Sequence, residues 1–205
     1  VVVCGDEPNV LAILPRIKRP VVTYGISEMN WIRAENIQHN RQFTYFLLTV
    51  GGQPVGPFEL QVPGKHNVLN ALAAIAIAGV LDVAPEMVRD ALAEFTGVHR
   101  RFEVKGEVEG VVIVDDYAHH PTEVENTLRT ARICWPERRL VALFQPHLYT
   151  RTRDFAVEFG QALSHADVVL LADIYPSRER PIPEVTSELI ANAAKDSGAT
   201  DTHLI

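Results

Sequence analysis

Only two cysteines, Cys4 and Cys134, occur in 205 residues, and they lie far apart in sequence. That excludes a disulfide framework and a Cys-x-x-Cys zinc site, and both thiols are expected in the core of a protein from a reducing cytoplasm. Long apolar runs are missing too. The longest, Ala71 to Leu81, is about half of what a bilayer span requires, so neither a membrane helix nor a membrane partner is expected. No signal-peptide pattern precedes the first strand-like residues. Positive charge is not in excess: 19 Lys and Arg stand against 26 Asp and Glu, a formal charge of −7. This argues against a nucleic acid as main partner, while leaving anionic small molecules to local arginines. Internal repeats and low-complexity segments are absent. A phosphate loop is absent as well, because Pro63, Gly64, Lys65 and His66 lack the first glycine and the Ser or Thr after lysine that such a loop needs.

What remains is a soluble globular composition, 47% hydrophobic and 22% charged, with room for two domains. Val1 to Cys4 reads as an internal strand running into a Gly-Asp-Glu-Pro turn, and His203 to Ile205 as the opening of another strand. The chain is therefore expected to begin and end within domains. Val21 to Tyr24 predicts a strand, and segments around Trp31 to Ile37, Phe43 to Val50 and Phe58 to Val62 predict a small antiparallel sheet or meander. The period then becomes helical. Val68, Leu69, Leu72, Ile75, Ala76 and Gly79 mark one helix, and Pro85 opens a second with Val88, Ala91, Leu92 and Phe95 on one face. A boundary is expected at Thr96 to His99. Beyond it strands at Phe102 to Val108, Val111 to Val114, Leu140 to Phe144 and Val168 to Leu171 are interleaved with helices at Pro121 to Cys134, Thr152 to Leu163 and Thr186 to Ala194. That alternation predicts an α/β domain with a parallel sheet covered on both faces.

The run Val111 to Val114 delivers Asp115, Asp116, Tyr117, Ala118, His119, His120 and Pro121 to a strand's carboxyl end, where open α/β sheets bind ligands. Two acids and two histidines side by side are rarely chosen by packing, although a solvated polar loop is the plain alternative. Phe144 to Arg153 repeats the pattern, placing His147, Arg151 and Arg153 after a second strand. Arg100 and Arg101 offer planar forks suited to phosphate oxygens, or simply a surface pair. Asn67 and Asn70, three apart at a helix start, share a face and can read the edge of a base, unless Asn67 is the helix cap. Asp115, Asp116, His119 and His120 have ligand chemistry, but neighbours seldom all point at one ion, and no metal site is expected.

The strings GKHNVLNALAA, RRFE, VIVDDYAHHPTEV and FQPHLYTRTRDF, in this order and supported by IYPSRERPIPEVTSELI, resemble the ATP-dependent Mur ligases of peptidoglycan synthesis over essentially the whole chain. The resemblance implies that residues 1–97 form the C-terminal part of a central ATPase domain. Residues 98–205 would then be most of a Rossmann-like C-terminal domain, with the phosphate loop and magnesium ligands upstream of Val1. It implies a reaction in which ATP activates the carboxylate of UDP-N-acetylmuramate as an acyl phosphate and the amine of L-alanine displaces the phosphate. Asn67 and Asn70 would contact adenine, Asp116 the ribose and Arg101 the phosphates, while Tyr117, His119, His147 and Arg151 would line the amino-acid side. Leu148 stands where some members carry a further arginine, so the grip on the alanine carboxylate would rest on Arg151. Two alternatives stay open: a ligase that returns a murein tripeptide to the same sugar, and a nucleotide-binding module without catalysis. Alone, the 205 residues are expected to be inactive.

Overall fold

A run of valines opens the chain, and Val2–Cys4 form the first strand, β1. The computed structural model describes every residue from Val1 to Ile205 and divides them into two units, Val1–Gly97 and Val98–Ile205. In the first, Pro8 starts the short helix α1 (Pro8–Ile13), where a missing N–H costs nothing, and a 3-10 turn at Leu14–Arg16 leads to β2 (Val22–Gly25). β3 (Ile32–Asn40), β4 (Phe43–Val50) and β5 (Gln53–Leu60) follow as an antiparallel meander. The sheet order is β1-β2-β3-β4-β5, with β1, β2 and β3 parallel. The expected antiparallel sheet is thus one part of a larger mixed sheet. β2 and β3 share only the pairs Tyr24 with Ile32 and Gly25 with Arg33, so a short loop suffices where a full parallel crossover would need a helix.

β5 begins five residues earlier than the Phe58 start that its hydrophobicity indicates. Pro54, Gly56 and Pro57 mask its first half, and their weak pairing capacity is tolerated because β5 is an edge strand. β1 is the other edge, which leaves Cys4 half-buried and not in the core as expected. Helix α2 (Lys65–Val80) lies against β1, β2 and β3, and α3 (Pro85–Glu94) against β5 and α2. Val68, Ala71, Leu72, Ile75 and Ala76 of α2 meet Ile32, Ala34, Phe46, Leu48, Phe58 and Leu60 of the sheet in one core. These are the residues that period 3.6 on the helix and period 2 on the strands select.

The second unit opens with a hairpin. β6 (Glu103–Val108) and β7 (Val111–Asp115) pair antiparallel through Glu109 and Gly110, both with positive φ as a tight hairpin turn requires. Then follow α4 (Pro121–Cys134), β8 (Val141–Phe144), α5 (Tyr149–Asp154), α6 (Ala156–Leu163), β9 (Val168–Leu171), α7 (Glu188–Asp196) and β10 (Thr202–Leu204). β8, β9 and β10 form a parallel sheet of order β10-β9-β8. Three expectations change here. The hairpin stands apart from the parallel sheet, with a cavity of about 830 Å³ between β7 and β8 lined by Ile113, Val114, Leu128, Ala142 and Phe144. Only one face of β8 is covered: Ala142 and Phe144 are buried, whereas Leu143 is 68% exposed. The helix expected at Thr152 to Leu163 is two helices, broken at Phe155 (φ −125°, ψ 21°). The break lets the Phe155 side chain pack against the Val124, Leu128 and Phe159 core and reach His120, 5.3 Å from ring centre to ring centre.

Candidate functional site

Three loops of the second unit leave the carboxyl ends of β7, β8 and β9, and they carry most of its chemistry-bearing side chains. After β7, Asp116 accepts two hydrogen bonds on one oxygen: Oδ2 takes the Phe102 N–H at 3.1 Å and the Thr127 hydroxyl at 2.8 Å. The Tyr117 N–H donates to the Arg100 carbonyl at 2.8 Å, which lays the Arg100–Phe102 turn across the loop. That turn is strained, since Arg100 (φ 58°) and Phe102 (φ 48°) both sit in the left-handed region that side chains disfavour. Its ends are held from three sides. Glu103 accepts the Arg100 N–H at 2.8 Å, Asp116 accepts the Phe102 N–H, and the buried Phe102 ring stacks on Trp135 at 6.1 Å. Arg101 between them is exposed, with its guanidinium 5.8 Å from the Tyr117 ring centre. The Arg100 guanidinium lies 4.7 Å from the same ring.

His120 caps α4, and Glu123 closes a capping box by accepting the His119 and His120 N–H groups at 2.9 and 3.1 Å. After β8, His147 bridges to Tyr175 of the β9 loop and their rings stack at 5.4 Å. Leu148 turns the chain at φ 77° and ψ 133°, a conformation that costs a side-chain-bearing residue about 1 to 3 kcal/mol. Its N–H donates to the Tyr175 carbonyl at 3.0 Å, and its carbonyl accepts from the N–H and hydroxyl of the buried Thr152 at 3.1 and 2.9 Å. α5 thus starts in a fixed direction. From it Arg151 donates through Nη1 to the His119 carbonyl at 3.1 Å, tying the β8 loop to the β7 loop. Ring spacings of 5.1 Å from Tyr117 to His119 and 6.5 Å from His119 to His147 complete a row from Arg101 to Tyr175. Arg153 stays out of it, exposed and paired with Asp154 at 2.7 Å.

The row has a definite charge pattern. Partial burial, then the neighbouring Arg151 guanidinium and His119 ring, hold His147 below the usual imidazole range against the opposing pull of Glu179. Its Nδ1 is buried and unpartnered. The lowered pKa favours the neutral ring, which has one nitrogen able to accept a proton. Burial opposes ionisation of Glu123, but the His119 N–H, the Arg101 guanidinium, the nearby His119 ring and the His120 N–H outweigh it and lower its pKa. Glu179 is lowered as well, chiefly by the Thr150 hydroxyl and N–H. No group of three His, Cys, Asp or Glu side chains is placed to hold a metal ion.

Asn67 and Asn70 belong to the first unit. Gly64, with φ 97°, caps α2, so Asn67 is the third helical residue and not the cap. Its Nδ2 donates back to the Pro63 carbonyl at 2.7 Å, and Asn70 Nδ2 lies 3.4 Å from Asn67 Oδ1, which puts both amides on one face as their spacing requires. In the second unit the structure brings together Arg101, Asp116, Tyr117, His119, His147 and Arg151. Glu123, Thr127, Tyr175 and Glu179 were not singled out by sequence. The only local signal among them was an acid three residues after a capping position, which marks Glu123.

The profile of the Mur ligase middle domain matches residues 1–78, and that of the Mur ligase glutamate ligase domain matches residues 100–205. The UDP-N-acetylmuramate--L-alanine ligase of Salinibacter ruber is 48% identical over 204 residues, covering 100% of this chain and 43% of that protein. The protein of the same name from Pelobacter propionicus is 45% identical, covering 98% of this chain and 44% of its own length. Among solved structures, the UDP-N-acetylmuramate-alanine ligase of Thermotoga maritima superposes with a TM-score of 0.74 at 32% identity, over 90% of this chain and 39% of that one. A murein peptide ligase from Psychrobacter arcticus shares the fold, with a TM-score of 0.67 at 24% identity, over 100% of this chain and 42% of that one. The chain spans less than half the length of these relatives. With its glutamate ligase domain matched over residues 100–205 and its middle domain over residues 1–78, the chain belongs to the Mur ligase family.

Proposed function

We propose that the complete protein is a cytoplasmic, ATP-dependent ligase that joins L-alanine to UDP-N-acetylmuramate for peptidoglycan synthesis. Val1–Gly97 would be the C-terminal part of its central ATPase domain and Val98–Ile205 most of its C-terminal domain. The observation that carries this reading is the row of side chains at the three strand ends. In it Asp116 receives both of its hydrogen bonds on Oδ2, with no hydrogen bond to Oδ1, and the same row carries Arg101, Arg151 and His147, whose pKa is lowered.

The donor set suits these substrates. Asp116 Oδ1 is an acceptor for ribose hydroxyls, Arg101 a fork for phosphate oxygens, and the paired amides of Asn67 and Asn70 a donor and acceptor edge for adenine. ATP, when bound, supplies the phosphoryl group that makes the sugar carboxylate an electrophile; magnesium ligands are expected from residues other than these. Arg151 then holds the alanine carboxylate, and Tyr117 forms the wall beside it. The alanine nitrogen attacks the activated carbonyl carbon, the carbon–oxygen bond to phosphate breaks with its electron pair, and a proton leaves the nitrogen. His147 or His119 takes that proton. Holding nucleophile and electrophile in this geometry is the larger part of catalysis.

The test is an acceptor assay on the full-length protein with ATP, UDP-N-acetylmuramate and either L-alanine or a murein tripeptide. Alanine-dependent ADP release supports the reading. Preference for the tripeptide would make it the recycling ligase, and nucleotide binding without amide formation would make it a binding module. The 205-residue chain alone should release no phosphate above a buffer control, because phosphoryl transfer depends on positioning and charge neutralisation by a phosphate loop, and no such motif lies between Val1 and Ile205. Sustained turnover by the chain would show that a phosphate site exists within it.

A further inference from the structure

Glu123 does more than close the α4 cap. Its two carboxylate oxygens point to different parts of the site. Oε2 accepts the His119 and His120 N–H groups at 2.9 and 3.1 Å and lies 3.3 Å from His119 Nδ1. Oε1 meets Arg101 Nη1 at 3.3 Å. His119 Nδ1 also faces the Tyr117 carbonyl at 2.9 Å, so both of its neighbours are acceptors and Nδ1 carries the proton. In the neutral ring the lone pair is then on Nε2. The carboxylate is held ionised below the usual range, in a half-buried position where it can serve both partners at once.

We infer that Glu123 is a positioning residue with two separable tasks: Oε1 orients Arg101, and Oε2 orients His119 with Nε2 as its proton-accepting nitrogen. The inference rests on the proposed roles of Arg101 toward phosphate and His119 toward the amine. One side chain then sets both sides of the reaction, and it sits on the first turn of α4, where helix geometry fixes its reach.

The two tasks can be separated because glutamine keeps only one of them. In Glu123→Gln the amide oxygen can still accept the His119 and His120 N–H groups, while the NH2 faces the Arg101 guanidinium, donor against donor. Full-length Glu123→Gln should therefore melt like the parent and keep its constant for alanine, with the Michaelis constant for ATP raised several-fold to about tenfold. Glu123→Ala should impair both ATP and alanine constants. The decisive comparison is Arg101→Ala against Arg101→Ala with Glu123→Gln. If Glu123 acts through Arg101, the double variant should show the same ATP constant as Arg101→Ala alone, since coupled residues are not additive. Additive losses, or an unchanged ATP constant in Glu123→Gln when Arg101→Ala raises it, would reduce Glu123 to a helix cap and overturn the inference. An ATP constant indifferent to Arg101→Ala would instead overturn the reading of the site on which it stands.

Discussion

Asp6 follows β1 in the first unit much as Asp116 follows β7 in the second, yet the two carboxylates are used differently. Asp6 is occupied on both oxygens: Oδ1 accepts from the Ser27 N–H, the Ser27 hydroxyl and Asn30 Nδ2, and Oδ2 accepts from the Ile26 N–H at 2.6 Å. Asp116 accepts both of its hydrogen bonds on Oδ2. The first carboxylate is a brace that joins the ends of β1 and β2. The second is anchored through Oδ2 alone. A strand's carboxyl end therefore does not by itself leave an acceptor open; that depends on whether local groups have already satisfied it.

The largest effect expected from this contrast is on stability. Asp6→Ala removes the acceptor for two backbone N–H groups, a hydroxyl and a side-chain amide, and should cost about 2 to 3 kcal/mol of unfolding free energy. Denaturant titration of the 205-residue chain measures it. In the full-length protein the same variant should leave the alanine constant unchanged at permissive temperature. A specific loss of substrate affinity without a loss of stability would break the comparison.

Arg151 tests the opposite side. Arg151→Ala should raise the alanine constant by roughly thirtyfold, the value of a charge-assisted contact to a carboxylate, and the ATP constant far less. Arg153→Ala is the internal control, because its guanidinium already pairs with Asp154 on an exposed face, and it should have a much smaller effect. Equal losses for alanine and ATP in Arg151→Ala would point to its structural tie to the His119 carbonyl instead. Asp116→Asn comes next. The amide can keep an oxygen toward Phe102 and Thr127, so the fold should hold while the ATP constant rises roughly tenfold, from exchanging a charged acceptor for a donor. An unchanged constant would remove Asp116 from the nucleotide side and erase its difference from Asp6.

How far these distinctions could be read in advance depended on whether they were local. α2 and β7 were legible because one helical face and one run of β-branched residues carry their burial, and Asp116, His119, His147 and Arg151 were legible as polar groups after strands. Pairing was not. Nothing in Val111 to Val114 says that β7 takes β6 as its partner and leaves β8 across a cavity, since strand periodicity encodes faces and not neighbours. The break at Phe155 escaped for a similar reason: the helical pattern runs through it, and only tertiary packing of the Phe155 ring interrupts the backbone. Thr127 and Glu179 act through contacts 11 and 29 residues distant, to Asp116 and Thr150, and no spacing rule announces them.

The smallest expected effect is a difference in acid sensitivity between the units. Asp6 and Glu35 are lowered in the first unit, whereas Glu103, Glu123, Asp154, Asp167 and Glu179 are lowered in the second. A carboxylate whose folded pKa is depressed contributes stability that is complete above its unfolded value and is lost as pH falls through the folded one. Glu103 defines the window. The Arg100 N–H and then Lys105 bring it to about 2 from 4.5, so its contribution should fade between those values. With more such groups, the second unit should loosen at a higher pH than the first. Each unit holds one tryptophan, Trp31 and Trp135, and the latter stacks on Phe102 beside the Glu103 turn. Fluorescence of Trp31→Phe and Trp135→Phe variants during acid titration therefore follows the units separately. The Trp135 signal should change first, and Glu103→Gln should move its transition toward neutral pH while leaving that of Trp31 in place. Coincident transitions that Glu103→Gln does not separate would mean that the anchors of the strained Arg100–Phe102 turn contribute nothing distinctive to the second unit.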